Sequence, residues 1–421
     1  MSRLAISRRT AALLAFLTLA LIVQRGVCAA LTFIYEAESF GSSASGYVVS
    51  DPDALNGTTL EAHIGRETPG IMRFGPYARE PAGRYRADFR LKVKDNTIDQ
   101  PVVGFDVVET GGAAVGSARE LKGTDFAKPA TYQDFSIEFD RSDIGGMEYR
   151  IYWRGGTDVW ADRITVTQLK PYGEAELLAL YAKRPELLPQ MPPTPLIVGG
   201  QGKVLICNGL WHEYFRLADA LKMLPALQAT QADFSVEQFR NVINGFPKTY
   251  AELYAYDAVL LLDCSANALG MAGKVMLNHY VKDGGGLVVT GGIFAYGRGG
   301  FWESRLLGEL LPVGPTRTLD LMPAPSGLRL QGVGRQPIAL AARWGDAVTL
   351  WYHEVAPRDG AQVVVKAGKQ PAVVVGTCGK GKVVCLTIAP MGEPRKNQTA
   401  FWTWSEFPNL MAETITWVTT K

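Results

Sequence analysis

The chain has 421 residues, 43 basic and 41 acidic side chains, and 47% hydrophobic residues. That length is more than one hydrophobic core usually serves, so two domains are expected, with enough apolar residues to bury both cores. The near balance of charge, with no basic run interleaved with aromatics, argues against a nucleic-acid partner.

The first 30 residues read as a signal peptide. Arg3, Arg8 and Arg9 precede the apolar run Ala11–Val23, broken only by Thr18. Val27-Cys28-Ala29 or Cys28-Ala29-Ala30 then offers a small-residue cleavage site. The run is shorter than the roughly 20 apolar residues of a membrane-spanning helix, so no stable membrane insertion is expected after cleavage. Ser7-Arg8-Arg9 leaves both general and twin-arginine export open, and Arg25-Gly26-Val27 is a poor lipobox. The expected location is secreted or periplasmic. Cleavage removes Arg3, Arg8, Arg9 and Arg25 and no acid, turning the formal charge of +2 slightly negative.

Residues 31–170 alternate short strands with Gly, Asp and Asn turns. In Arg84–Lys94, Tyr85, Ala87, Phe89, Leu91 and Val93 fall on one face and charged residues on the other, the pattern of a half-buried antiparallel strand. Similar runs at Val102–Val108, Tyr132–Phe139, Glu148–Trp153 and Arg163–Leu169 predict an all-β jelly-roll sandwich. Residues 171–202 follow as a linker: a short amphipathic helix within Gly173–Arg184, then the proline-rich stretch Pro185–Pro195, which should be extended and stiff.

From residue 203 to 421 strands alternate with helices. Lys203–Cys207, Tyr256–Asp263 and Gly286–Thr290 are apolar strands. Glu213–Leu224, Leu269–Lys282 and Trp302–Leu311 read as helices. This predicts a parallel sheet covered on both faces. Ala347–Trp351, Gln362–Lys366, Ala372–Gly376 and Lys382–Ile388 add shorter strands. Cys207, Cys264, Cys378 and Cys385 each lie at or near the end of an apolar run, as buried structural thiols do. A tight turn at Gly379–Lys382 would set Cys378 and Cys385 diagonally, which disfavours a disulfide, and no metal-binding spacing is present.

Four segments of the first domain carry a resemblance: Tyr35-Glu36-Ala37-Glu38, Phe74-Gly75-Pro76-Tyr77, Gly83-Arg84-Tyr85 and Asp162-Arg163-Ile164-Thr165-Val166. Together they resemble carbohydrate-binding modules of families 6 and 35. The resemblance implies a structural Ca²⁺ ion held by Glu36, Glu38 and Asp162, a hard-oxygen set that suits calcium. Glu36 and Glu38 share one strand face, which equally fits two solvent-facing acids. The resemblance also implies a glycan partner, with an aromatic ring stacked on a sugar beside an Asn or Asp. Trp160, after the Gly155-Gly156-Thr157-Asp158 loop, and Tyr77 are the aromatic candidates, with Asn96 and Asp158 as polar partners; Trp153 alternates with Ile151 and reads as core.

In the second domain, Tyr256–Leu261, Tyr280–Gly286, Gly291-Gly292, Leu311-Pro312-Val313, Gly379–Val384 and Gly392-Glu393-Pro394 resemble the glutamine amidotransferase-like domain of the class I amidotransferase fold. The implied architecture is flavodoxin-like α/β. Activity in that class needs a Cys on the sharp turn after a central strand, with a His oriented by a Glu. Laid on Gly291–Ala295, that turn has Ile293 at the nucleophile position, so glutaminase chemistry is not expected. Asp263, His353 and Glu354 remain as acid–base candidates. Gly292, Tyr296 and Arg298 could contact a ligand, or the loop glycines could simply pack against the sheet. Asn208, Trp211, His212 and Ser265 should gather with these at the carboxyl edge. The reading is a secreted carbohydrate-binding protein with a catalytically degenerate second domain. An enzyme acting on a sugar derivative, or an envelope scaffold that binds no sugar, stand as alternatives.

Overall fold

The computed structural model describes residues 31–420 apart from 40–44, 79, 110–112, 143–144, 186–187, 237–240, 298, 301, 303–304, 318 and 346. The expected signal segment and Arg298 lie outside the described residues. No helix among the described residues is long and apolar enough to cross a membrane.

The first domain is a sandwich of two antiparallel sheets. One runs Gln133–Arg141, Gly83–Val93, Val159–Pro171, Thr58–Ala62, Tyr47–Ser50, with Thr32–Glu36 on the other part of Val159–Pro171. The other is built on Gly70–Arg73, Met147–Trp153 and Pro101–Glu109. Alternation decides the core: Tyr85, Ala87, Phe89, Leu91 and Val93 are fully buried. Phe89 meets Phe105 of the facing sheet with ring centroids 4.5 Å apart. Truncating such a residue to Ala costs about 3–5 kcal/mol.

The linker helix Glu174–Tyr181 ties the domains together. Its Leu177 and Tyr181 are buried with Ala82 of the sandwich and with Met271, Val275 and Leu306 of the second domain. Lys282 adds an ion pair to Glu174 at 2.6 Å.

In the second domain the strands Gln228–Val236, Lys203–Asn208, Ala258–Leu262, Gly286–Thr290 and Gly381–Leu386 lie parallel in that order. Residues 204–207, 258–262 and 286–289 of the central three are apolar and buried, as strands covered on both faces must be. Helices Gly270–Lys282 and Phe407–Thr419 cover opposite faces. Antiparallel strands Gln370–Cys378, Gln362–Ala367, Leu321–Gly332 and Ala347–His353 extend the sheet.

Three expectations need correction. The helix expected over 213–224 is split by Arg216 in a left-handed conformation (φ 50°) into a 3₁₀ turn, His212–Phe215, and a helix, Leu217–Lys222. Of the helix expected over 302–311, only Arg305–Gly308 is helical among the described residues. The strand Leu321–Gly332 is absent from the sequence reading because Pro323 and Pro325 interrupt its pattern. The described cysteines are all free. Cys378 pairs with Gly381 and Cys385 with Val374, the offset expected of the two-residue turn.

Candidate functional site

The turn after Gly286–Thr290 is closed from both sides by buried side chains. Asp263, at the end of the neighbouring strand, adopts a left-handed backbone (φ 48°), which Asp tolerates better than most residues. Its N–H donates to Thr290 Oγ1 at 3.1 Å. From there the carboxylate reaches the glycine turn, where Oδ1 accepts the Phe294 N–H at 2.7 Å. The Ile293 N–H also bonds the carboxylate, while Oδ2 is buried without a partner among the described residues. Burial pushes this carboxyl from its ordinary 3.8 up to about 7, against the pull of the two amides.

Across the turn, His353 Nε2 accepts the Gly292 N–H at 3.2 Å and Nδ1 lies 2.9 Å from Asp320 Oδ2. This network assigns the neutral tautomer, with Nδ1–H donating to Asp320. Both ring nitrogens are engaged, and His353 is 1% exposed. Glu354 does not orient it. Glu354 lies in the one-residue break between the strands Ala347–His353 and Val355–Pro357 and pairs outward with Arg317 and Thr316. The His partner that sequence reasoning missed is Asp320, a lone Asp whose sequence context carries no signal.

The glycines of this loop serve close packing within the protein. A Cβ on Gly291 would collide with the Ile388 carbonyl, one on Gly292 with the Asp263 carboxyl, and one on Gly297 with Asp320. Tyr296 is buried, its hydroxyl between the carbonyls of Val289 (2.7 Å) and Leu386 (3.0 Å). The expectation that Gly292 and Tyr296 face a ligand is therefore corrected. The cavity lined by Tyr296, Gly297 and Trp302 is about 10 Å³, room for about one water. In a nucleophile elbow the amide after the nucleophile serves the oxyanion. Here that amide belongs to Phe294 and is taken by Asp263. Asn208 and Ser265 are likewise committed, Asn208 to Gln231 and Asp233, Ser265 to the Gly300 carbonyl.

The sandwich presents a different surface. Trp160 lies within the strand Val159–Pro171, not in a loop, because Gly155 and Gly156 complete the reversal before it (φ 82° and 84°). Its register row across the sheet reads Tyr47, Glu61, Trp160, Lys92. Trp160 is half-buried, and its indole N–H has no partner among the described residues. Lys92 sits 4.9 Å from the Trp160 ring and 4.5 Å from that of Tyr132, and forms a buried ion pair with Asp51. Tyr132 donates to Asp51 at 2.9 Å. Tyr47 is 57% exposed, beside Arg66, whose guanidinium lies 4.7 Å from its ring.

The other expected sugar contacts are elsewhere. Tyr77 is exposed but belongs to the opposite sheet. Asn96 donates to the Phe126 carbonyl, and buried Asp158 holds the Ile64 N–H and Lys94. Both polar residues brace loops. Trp153 is core, donating to the Thr157 carbonyl.

Glu36, Glu38 and Asp162 share one arrangement. One oxygen of each is held by the protein, Glu36 by Arg163, Glu38 by Asn56 and Thr58, and Asp162 by Arg90 and the Leu55 N–H. The other oxygen of each is buried without a partner among the described residues. Burial, then the Glu38 and Asp162 charges, push the Glu36 carboxyl up, while Arg163 pulls it back. Among the described residues no three His, Cys, Asp or Glu side chains gather so as to hold a metal ion. A cation here would need further oxygens from backbone or water.

Residues 213–420 match the family model described as "Putative glutamine amidotransferase". The second domain resembles that family. Among solved structures, a cytoplasmic protein from Salmonella typhimurium LT2 is similar over 51% of this chain and 99% of its own (18% identity, TM-score 0.42). The C-terminal CBM6 of a marine laminarinase from Zobellia galactanivorans is similar over 33% of this chain and 100% of its own (17%, 0.22). A family 35 carbohydrate-binding module from Clostridium thermocellum covers 32% and 98% (18%, 0.24). No curated protein matches. The first domain resembles carbohydrate-binding modules; the amidotransferase-like domain has Ile293 where its resemblance asks for a catalytic Cys.

Proposed function

We propose that this is an exported carbohydrate-binding protein whose sandwich takes a glycan across the sheet face carrying Trp160. The second domain, in this reading, has lost amidotransferase chemistry. The observation that carries the proposal is the half-buried Trp160, its indole N–H without a partner among the described residues, set between Glu61 and Tyr47 on one side and the Lys92–Tyr132 support on the other. An aromatic face with a free polar handle suits the apolar face and hydroxyls of a pyranose. The leader-like residues 1–30 support export.

Calcium belongs to the same reading. Three carboxylates, each with an orphaned buried oxygen, fit a hard cation that takes oxygen ligands. Glu36, Glu38 and Asp162 would hold it, and its charge would join the first strand of the sandwich to the last. Loss of the second domain's chemistry is supported by Ile293 at the turn and by the engaged Phe294 amide and His353 ring.

The test is affinity electrophoresis of the full chain through gels carrying soluble polysaccharides. Retardation by at least one glycan, lost in Trp160→Ala, is expected. Retardation unchanged in Trp160→Ala would move the site off this face.

A further inference from the structure

We infer a second carbohydrate site in the amidotransferase-like domain, an aromatic cleft at the carboxyl edge of its sheet that accepts a neutral sugar. The inference goes beyond the sandwich site and does not depend on it.

Position comes first. Lys203–Asn208 is paired in parallel on both sides, and the chain leaves it for Gln228–Val236 on one flank and then places Ala258–Leu262 on the other. Ligands of open α/β sheets bind outside the carboxyl ends at such a switch strand. The segment that leaves this end carries Trp211 and Tyr214, and Trp402 comes from the 3₁₀ turn Phe401–Thr403. With Pro390, Met391 and Pro394 these line an open cleft of about 390 Å³. Ligand pockets span roughly 300–1,000 Å³, so this one fits a mono- or disaccharide.

The lining chemistry narrows the ligand. Trp211, Tyr214 and Trp402 each bring an N–H or O–H that has no partner among the described residues, although Tyr214 is 44% exposed and both indoles only partly so. Among the described residues no charged side chain lines the cleft, which disfavours phosphates and acidic sugars. The Tyr214 and Trp402 rings stand nearly perpendicular, at 75° with centroids 6.0 Å apart. They form a corner, and a corner suits a compact ring better than the parallel ridges that seat a proline-rich helix. A pyranose can lay its C–H face on one ring while its hydroxyls reach the indole and phenol donors. The rim is preorganised. Proline fixes φ at 390 and 394, and Gly392 takes φ 88° against the Trp351 ring, where a Cβ would crowd it.

The experiment titrates the full-length Trp160→Ala variant with neutral gluco-, galacto-, manno- and xylo-oligosaccharides. It follows heat and the indole N–H resonances of Trp211 and Trp402. Expected is saturable binding by at least one sugar, with shifts of both resonances, weakened tenfold or more by adding Trp211→Ala or Trp402→Ala. The resonance shifts decide the question even if a variant fails to fold. The inference is overturned by no sugar shifting either resonance, by binding indifferent to both substitutions, or by saturation with adenosine or a polyproline peptide instead of any sugar. Wild-type binding that vanishes with Trp160→Ala alone would remove this site and leave the sandwich site standing.

Discussion

Asp263 is the buried carboxyl that closes the glycine turn of the second domain. Its carboxyl is raised to about 7 in the folded protein, against 3.8 ordinarily, so the folded state holds a proton that the unfolded state releases. The group therefore favours folding most below about pH 4 and loses that contribution as pH rises through about 7. Asp263→Asn should flatten the pH dependence of stability across that window, read by urea unfolding between about pH 5 and pH 8. An identical slope in the variant would contradict the buried, titrating carboxyl. Asp263→Ala leaves the two turn amides without an acceptor and should cost about 1–3 kcal/mol. Placing a thiol at the turn should not create glutaminase chemistry. In Ile293→Cys the amide after the new thiol is still bonded to Asp263, and His353 Nε2 is still occupied by the Gly292 N–H. Glutamine should release no ammonia above background; turnover in this variant would show that the turn can open.

At the scale of elements, strands whose side chains alternate were legible and irregular ones were not. Gly83–Val93 follows its predicted face residue for residue, except that Lys92 points outward and is nevertheless buried under Tyr132 and Trp160. No period reveals that, because its cause is a partner 41 residues away, Asp51. The sequence marks Trp160 as a candidate sugar contact after a loop, but the glycines before it hide its strand setting. The turn after Gly286–Thr290 was legible as an elbow without a thiol; its closure by Asp320 and His353 depends on long-range packing. Of the cleft residues only Trp211 was placed at the carboxyl edge, since Tyr214 and Trp402 meet across 188 residues of chain. The buried Lys92–Asp51 pair makes its own prediction. Lys92→Met strands a buried carboxylate and should cost about 3–5 kcal/mol, with much of this recovered on adding Asp51→Asn. Equal stabilities of wild type and Lys92→Met in urea would show that the pair is open to water.

For the whole molecule, Glu36 and Asp162 lie on the paired first and last strands of the sandwich with Glu38 just beyond, so a cation bound there would act on global stability. A ligand that binds only the folded state at about 100 times its Kd adds about 2.7 kcal/mol. EDTA should therefore lower the melting temperature of the sandwich transition by several degrees, calcium should restore it, and Asp162→Asn should abolish the difference. A melting curve indifferent to EDTA and calcium would remove calcium from the proposal.

Calorimetric titration of the full chain, in calcium, with the glycan that retards it most addresses the central claim directly. The account predicts a saturable isotherm that Trp160→Ala weakens tenfold or more, about 1.4 kcal/mol, with the fold intact. No glycan bound by the wild type, or equal affinity in Trp160→Ala, would contradict it.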